Sequence, residues 1–260
     1  MSLEAVAVSG RGLIDPTEPV FHADDEAVLR GGVAFETLLV AGGRAFLLGE
    51  HLERLRHSAR QLALEPPVHA PELAALVLGA GPPDGVLRLY RTSQLEVATL
   101  ALLPDGLDEL RARGISLRSF EVGTSRLLAG VKSTSYAVAF AARRAAEAAG
   151  DDDALLLGGR TVLETATANI FWFSRTRLWT PGTETGALPG VTRAVILGLE
   201  PVEEGAFELD ELLGADEAFT TSSVREIMPV VSIDGQPIGE GVPGPTAMRL
   251  QAALRLRSAP

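Results

Sequence analysis

The sequence predicts a two-domain protein in which an α/β domain is followed by an α+β domain with a barrel-like sheet. Three observations predict this class. Strand and helix patterns alternate in the first part of the 260-residue chain, periodicity is lost over residues 121–131, and short strands dominate beyond them. A chain of this length is long enough for two ordinary domains. We therefore predict a smaller N-terminal domain over 1–120, a linker over 121–131 and a larger C-terminal domain over 132–260.

The N-terminal domain is predicted element by element from hydrophobic spacing and helix breakers. An apolar strand over 35–40 turns at Gly42-Gly43 into a second strand over 44–48, which predicts a hairpin. Leucines at helical spacing predict an amphipathic helix over 50–62. Pro71 marks the first turn of a second helix, which the glycines between 79 and 85 end. The remaining predicted elements are strands at 86–92, 97–103 and 115–120 and a short helix at 107–113.

The C-terminal domain begins with an alanine- and arginine-rich helix over about 135–149, which Gly150 ends as a C′ glycine. A loop over 181–190 leads into a helix beginning near Thr192, and a last helix covers about 245–257. The predicted short strands are 154–157, 161–165, 169–174, 178–180, 218–221 and 229–233. Many short strands in one domain favour a barrel-like sheet.

Composition excludes several classes of site and partner. The chain has no cysteine, so disulfides, thiolate metal sites and cysteine nucleophiles are excluded. Its net charge of -11 argues against nucleic acid or an anionic membrane as the main partner, since both bind clustered cations. Residues 1–12 show no signal-peptide pattern, and no stretch approaches the roughly 20 apolar residues of a spanning helix. We expect a soluble, cytoplasmic protein that uses no metal.

One basic residue differs from all the others, because Lys132 is the single lysine among 23 lysines and arginines. Codon bias toward arginine would explain the imbalance and leave Lys132 as a remnant. Alternatively, arginine cannot replace Lys132, because a guanidinium stays protonated whereas a lysine amine can lose its proton and act as a nucleophile. Lys132 lies between the two predicted domains, where ligand sites tend to form.

Residues farther along the chain supply groups of complementary chemistry. Glu164 lies near the end of an apolar strand, where a carboxylate needs a partner; a simple ion pair with Lys132 is the plainer alternative. Residues 188–193 place a glycine, a hydroxyl and backbone N–H groups at a helix start, and 220–223 is a row of hydroxyls. Both suit a phosphate. An amine, a carboxylate and phosphate-binding loops together match the needs of pyridoxal phosphate.

In these motifs the chain resembles the class IV, or fold type IV, pyridoxal-phosphate aminotransferases. This family includes branched-chain and D-amino-acid aminotransferases and aminodeoxychorismate lyase. The matching segments, spread over residues 31–250 in the family's order, are Phe35-Glu36-Thr37, His51-Leu52-Glu53-Arg54-Leu55 with Ser58-Ala59, Gly130 to Tyr136, Gly150 to Leu157 with Glu164 and Asn169-Ile170-Phe171, Leu188 to Arg193, and Ile227 to Val230 with Gly239 to Pro245. The resemblance implies a homodimer with the cofactor at the junction of the two domains.

The resemblance also implies roles for individual residues. Lys132 would form the Schiff base with the cofactor and later shuttle a proton, and Glu164 would keep the pyridine nitrogen protonated. Arg54 would bind the phosphate from the N-terminal domain, and Phe35 would line the substrate pocket. The other implied contacts are Asn169, Val191, Thr192, Ser222 and Ser223 to the cofactor and Thr37 to the substrate.

The substrate-binding segments depart from the family pattern. Residues 31–34 lack the acid of the usual Gly-Asp-Gly, and the short loop 91–95 lacks the Arg-x-His pair of D-amino-acid enzymes. These changes affect the substrate pocket and leave the cofactor residues intact. Arg30 and Arg91 are the predicted ligands of the substrate carboxylate.

Three functions are compatible with these residues. The first is a ping-pong aminotransferase that moves an amino group between an amino acid, of branched-chain or D-amino-acid type, and a 2-oxo acid. The second is a 4-amino-4-deoxychorismate lyase, which releases pyruvate and 4-aminobenzoate. The third, of a different class, is a non-catalytic binding module on the same fold, against which the intact set of Lys132, Glu164 and Arg54 argues.

Overall fold

The computed structural model describes residues 2–125 and 127–258. The chain divides into two compact units. Unit 1 contains the chain up to Asp105 together with Val131–Tyr136, and unit 2 contains Gly106–Gly130 and Ala137–Arg257. This division differs from the predicted one at two places. The strand predicted at 115–120 belongs to unit 2, and the segment that carries Lys132 belongs to unit 1.

Unit 1 is built on six antiparallel strands, which are β1 (Leu3–Val8), β2 (Gly12–Ile14), β3 (Ala34–Ala41), β4 (Arg44–Ala45), β5 (Gly85–Arg91) and β6 (Glu96–Ala101). They form one sheet in the order β2-β1-β6-β5-β3-β4. The helices of this unit are α1 (Glu26–Arg30), α2 (Leu48–Gln61) and α3 (Ala70–Ala80).

Alternation of side chains gives the unit 1 sheet two different faces. Along β3, every second side chain from Ala34 onward is buried, and the side chains between them are half-buried. The buried face packs against the apolar faces of α2 and α3, where Leu38, Leu55 and Val77 are fully inaccessible to solvent. Phe35 and Thr37 therefore lie on the opposite face of the sheet.

Unit 2 contains nine described strands, which are β7 (Ile115–Glu121), β8 (Asp153–Gly158), β9 (Thr161–Thr165), β10 (Asn169–Ser174), β11 (Arg177–Pro181), β12 (Val202–Gly205), β13 (Glu217–Ser222), β14 (Glu226–Ile233) and β15 (Gln236–Pro237). They form a mixed sheet in the order β12-β11-β10-β13-β14-β7-β8-β9, with β15 paired to β14. Its helices are α4 (Leu107–Arg113), α5 (Ala137–Ala148), α6 (Val191–Leu197), α7 (Leu209–Leu213) and α8 (Pro245–Ser258).

The position of β7 explains why the boundary differs from the predicted one. β7 pairs in parallel with β8 and β14, and its residues Ile115 and Leu117 are fully buried in the core of unit 2. Hydrophobic spacing identifies a strand but does not identify the sheet that the strand joins. The predicted boundary at 120 therefore follows this strand, whereas the structure divides near residue 105.

Most predicted elements are present, with shifted ends. The second hairpin strand, β4, is only two residues long, because Leu47 adopts a left-handed φ of 53° and α2 begins directly after it. The helix predicted from 135 begins at Ala137, since the hydroxyls of Thr134 and Ser135 both donate to the carbonyl of Gly31. The strands β1, β2, β12 and β15 and the helices α1 and α7 have no counterpart among the predicted elements.

None of the helices in the described part of the chain has both the length and the apolar character needed to cross a membrane.

Candidate active site

The segment that carries Lys132 is held against the start of β3 by its main chain. The N–H of Phe35 donates to the carbonyl of Lys132 at 3.1 Å, and the N–H of Thr134 donates to the carbonyl of Val33 at 3.0 Å. The N–H of Lys132 itself donates to Oγ of Ser58, a fully buried residue of α2, at 3.0 Å. The backbone of Lys132 is thus fixed by both the sheet and a helix of unit 1, which limits the positions open to its side chain.

The amine of Lys132 lies among aromatic side chains. Its Nζ donates to Oη of Tyr136 at 3.4 Å and lies 4.4 Å from the centroid of the Phe35 ring. Phe35 in turn meets Tyr136 edge-on at 5.6 Å and stacks on Tyr90 at 6.2 Å. Ring faces attract an ammonium group, and the phenol oxygen gives it a hydrogen-bond partner. The amine is therefore directed to the face of the sheet on which Phe35 lies.

Arg54 is anchored by a buried carboxylate to which the sequence interpretation gives no role. Glu36 is fully buried and accepts hydrogen bonds from Nε and Nη2 of Arg54 at 2.7 and 2.8 Å. It is also hydrogen-bonded to Nδ1 of the buried His51 at 2.7 Å. Burial opposes ionisation of Glu36, but the hydrogen bonds from Arg54 and His51 outweigh it and lower the pKa to about 2. Glu36 is therefore an anion at neutral pH that fixes the guanidinium of Arg54.

The sheet register places two arginines of β5 on opposite faces of the sheet. Arg91 lies opposite Ala34 on the buried face of the sheet, and its Nε donates to a main-chain carbonyl of unit 1 at 2.7 Å. Because side chains alternate along a strand, Arg91 points away from Phe35. Arg88 lies opposite Thr37 and therefore shares the face of Phe35. Arg88 is thus the arginine of β5 that shares the face of Phe35 and Thr37, and the role of Arg91 as a substrate ligand stays a prediction.

The other two predicted substrate contacts lie in different settings. Thr37 is half-buried in β3, on the same face as Phe35 and Arg88. Arg30 is the last residue of α1, has 68% of its side chain exposed and pairs with Glu26 at 2.8 Å. Thr37 thus belongs to the face that carries the Lys132 amine, whereas Arg30 lies on a short helix with its guanidinium engaged by a neighbouring acid.

In unit 2, Glu164 and Asn169 meet at the loop that precedes α6. Nδ2 of Asn169 donates to Oε2 of Glu164 at 3.2 Å and to the carbonyl of Leu188 at 2.8 Å. The N–H of Leu188 donates to the same Glu164 oxygen at 3.2 Å. Two N–H donors on one carboxylate oxygen stabilise its negative charge. Glu164 is thus held both by the sheet and by the loop.

The row of hydroxyls predicted over residues 220–223 lies beside Asn169. Asn169 and Thr221 lie directly opposite each other in the register of β10 and β13. Ser222 ends β13, and Ser223 follows it in the turn to β14. Oγ1 of Thr221 is buried and has no hydrogen-bond partner within the described residues. A buried hydroxyl without a partner is unusual and requires an explanation.

The predicted helix start is also present in unit 2. α6 begins at Val191, one residue before the predicted start at Thr192, and both side chains are buried. Arg193 in the same turn is buried too, and it donates to the carbonyl of Pro181 at 2.9 Å and to Glu204 at 2.6 Å. Arg193 therefore anchors α6 within the protein.

Comparison with known proteins decides the family. The chain matches the model of the amino-transferase class IV family over residues 33–233. The chain belongs to the class IV aminotransferases. Among curated relatives, D-alanine aminotransferase from Bacillus licheniformis is 27% identical, with 96% of this chain and 95% of the relative covered. A putative branched-chain-amino-acid aminotransferase from Methanocaldococcus jannaschii is 31% identical over 93% of this chain and 92% of its own.

A solved structure supports the fold of this class IV aminotransferase. The PLP-bound form of a hypothetical aminotransferase from Mycobacterium tuberculosis is 25% identical, covers 97% of this chain and 98% of its own, and superposes with a TM-score of 0.88. The predicted family and the predicted fold class are thus confirmed.

Three residues that shape the site of this aminotransferase have no predicted role. For Glu36 a signal was available, since it occupies a buried-face position in β3, where a carboxylate needs a cation. For Ser58 the signal is weaker: it lies three residues after Leu55 on the buried stripe of α2, a position otherwise taken by apolar residues. Tyr136 carries no such signal, because its contact with Lys132 depends on the irregular path of the chain between them.

Proposed function

We propose that the chain is a pyridoxal-phosphate-dependent transaminase that moves an amino group between an amino acid and a 2-oxo acid, with Lys132 forming the Schiff-base linkage to the cofactor. When bound, pyridoxal phosphate supplies an electron-accepting ring that stabilises negative charge at the substrate Cα. One observation carries the proposal. The single lysine of the chain has its main chain fixed by Ser58 and its amine placed between Phe35 and Tyr136.

The described residues fit the chemistry of this cofactor. It needs an amine, a carboxylate for its ring nitrogen and donors for its phosphate, and the chain offers Lys132, Glu164 and Arg54 for these purposes. The buried hydroxyl of Thr221 is a donor without a partner in the described part of the chain, which a phosphate oxygen would satisfy. The family match and the PLP-bound relative support the same cofactor.

Each residue has a task that its surroundings support. Lys132 moves the proton at the substrate Cα, because an amine can act first as a base and then as an acid. Glu164 holds the proton on the ring nitrogen, since two N–H donors stabilise its negative charge. Arg54 binds the phosphate with a guanidinium whose plane is fixed by Glu36. The other proposed phosphate-binding residues are Val191, Thr192, Ser222 and Ser223.

The substrate is proposed to bind on the sheet face that carries Phe35. Phe35 supplies an apolar wall, Thr37 a hydroxyl and Arg88 a cation for the substrate carboxylate, all on one face. Arg30 remains a predicted second ligand. The named relatives support substrates of the D-amino-acid or branched-chain type. A homodimer is proposed as the working form, which sedimentation velocity at several concentrations tests.

A panel of substrates tests the reaction. The holoenzyme is incubated with D- and L-alanine and with branched-chain amino acids, with and without 2-oxoglutarate as acceptor. Formation of the new 2-oxo acid only when the acceptor is present supports transamination. Release of pyruvate and 4-aminobenzoate from 4-amino-4-deoxychorismate would instead identify the lyase. A protein that neither turns over these compounds nor binds the cofactor would be the binding module.

A further inference from the structure

Asn169 joins Glu164 to the loop that precedes α6. It is the first residue of β10 and is 5% exposed. Its Nδ2 carries two hydrogens, of which one is donated to Oε2 of Glu164 and the other to the carbonyl of Leu188. The N–H of Leu188 closes the ring on the same Glu164 oxygen. Both donors of the Asn169 amide are thus used inside the protein, and the predicted direct contact of Asn169 with the cofactor stays a prediction.

The side-chain amide of Asn169 also lies close to the backbone of Gly190, in the loop that precedes α6. An ideal Cβ built on Gly190 would lie 2.0 Å from Oδ1 of Asn169, a distance that no side chain tolerates. The φ of Gly190 is -66°, which any residue can adopt. A Cβ at 190 is therefore opposed chiefly by Asn169, with Cβ of Arg193 next at 3.1 Å, and not by an unusual backbone. This contact uses the oxygen of the amide, so it is independent of the hydrogen bonds made by Nδ2.

We propose that Asn169 is a positioning residue for transamination, which holds the Glu164 carboxylate in the orientation that keeps the cofactor ring nitrogen protonated and couples it to the loop 188–190. The inference rests on the proposed function, because it takes Glu164 as the partner of the ring nitrogen. A donor on Oε2 fixes the plane of the carboxylate and stabilises its charge. A primary amide supplies donors to Glu164 and Leu188 without adding a charge of its own.

The variant Asn169→Leu tests this role, because leucine has the same branching at Cγ but no donor. The readout is the ¹⁵N chemical shift of pyridoxal phosphate labelled at the ring nitrogen, followed between about pH 6 and 9. In the native protein we expect the nitrogen to stay protonated over this range. In Asn169→Leu the midpoint of deprotonation should fall into this range, because a Glu164 carboxylate that turns away from the ring nitrogen no longer stabilises its positive charge. A variant whose nitrogen titrates like that of the native protein would overturn the proposal.

Gly190→Ala disturbs the same contact from the loop side. Its methyl group pushes the amide of Asn169 away, so it should reproduce the shift of the ring-nitrogen midpoint. In an Asn169→Ala background the methyl group keeps only its 3.1 Å approach to Cβ of Arg193, so Gly190→Ala should add much less than it does alone, and the two changes are not additive. Gly123→Ala is the matched control, because a Cβ there meets nothing within 4 Å. Additive shifts, or an equal shift in the control, would contradict the coupling.

Two different results would show that Asn169 does not position Glu164 and that the proposed function is wrong. If the native protein binds no pyridoxal phosphate, the proposed function fails. If the native protein binds it with a protonated ring nitrogen and the variants do the same, only the role of Asn169 fails. Circular dichroism and thermal unfolding of the cofactor-free proteins show whether each variant folds. If Asn169→Leu does not fold, the ring-nitrogen midpoints of Gly190→Ala with and without Asn169→Ala test the role of Asn169 instead.

Discussion

The carboxylate of Glu36 accepts two parallel hydrogen bonds from Arg54, with Nε at 2.7 Å and Nη2 at 2.8 Å. This bidentate geometry fixes the plane of the guanidinium as well as its position. Glu36 is fully buried, only 10% of the Arg54 side chain is exposed, and His51 is bonded to the same carboxylate. The cluster gives unit 1 a cation of defined orientation and also makes the stability of unit 1 depend on pH.

The free energy of unfolding should fall in acid because of Glu36. Folding lowers its pKa from 4.5 to about 2, so the unfolded chain binds this proton more tightly than the folded chain. The stabilisation is therefore complete above about pH 4.5 and is lost as the pH falls through about 2, with a total of roughly 3 kcal/mol. Denaturant unfolding at a series of pH values should show this loss in the native protein and not in Glu36→Gln. Equal acid dependence in both proteins would be incompatible with the cluster.

Glu36→Gln should also weaken cofactor binding. Glu36→Gln removes one partner of a buried ion pair, a change that costs about 3–5 kcal/mol. The guanidinium of Arg54 then loses the carboxylate that fixes its orientation. We expect the dissociation constant of pyridoxal phosphate, measured by titration of the cofactor-free protein, to rise by about tenfold or more. Glu53→Gln is the control, because Glu53 lies on the same helix as Arg54 with 82% of its side chain exposed. If Glu36→Gln binds the cofactor as tightly as Glu53→Gln, Arg54 does not depend on Glu36.

Ser58→Ala should loosen the segment that carries Lys132. The change leaves the N–H of Lys132 without the acceptor that now lies at 3.0 Å, and an unsatisfied buried donor costs about 1–3 kcal/mol. Hydrogen exchange followed by mass spectrometry should show faster exchange in a peptide that covers 131–136. Ser135→Ala, which removes an exposed hydroxyl of the same segment, should change the exchange much less. Equal protection in native protein and Ser58→Ala would rule out this anchor.

Substitution of two arginines of β5 should separate binding from stability. Arg88→Met should raise KM for the amino acid and the 2-oxo acid, because Arg88 shares the sheet face of Phe35. Arg91→Met should lower the free energy of unfolding by about 1–3 kcal/mol, because it removes the buried donor to the carbonyl of Glu65, and should leave KM close to the native value. Steady-state kinetics and denaturant unfolding of both variants check this. A raised KM in Arg91→Met, together with an unchanged KM in Arg88→Met, would instead identify Arg91 as the ligand of the substrate carboxylate.

Residue type and local spacing were enough to predict the chemical groups of the candidate site. Lys132 was identified because it is the single side-chain amine, Glu164 because it is a carboxylate in an apolar strand, and α2 because leucines recur at helical spacing. The family resemblance then supplied the order in which these motifs follow one another. Each of these signals lies within a short segment of the chain.

What the sequence did not predict depends on pairing between distant segments. Whether Arg88 or Arg91 shares the face of Phe35 depends on the register of β3 and β5, and a shift of one residue would exchange them. The unit that β7 joins depends on its parallel pairing with β8 and β14. His51 and Arg54, the partners of Glu36, lie on α2, whereas Glu36 lies on β3. The alternation of side chains along β3 therefore predicts that Glu36 is buried but does not identify the groups that neutralise its charge.

Reductive labelling of the protein tests whether Lys132 carries the cofactor covalently. The protein is incubated with pyridoxal phosphate, reduced with borohydride, digested and examined by mass spectrometry. We expect a phosphopyridoxyl group on Lys132, the single lysine of the chain, and none in a folded Lys132→Arg variant, which should also lack turnover. An unlabelled Lys132 in protein that binds the cofactor, or retained turnover in Lys132→Arg, would contradict it.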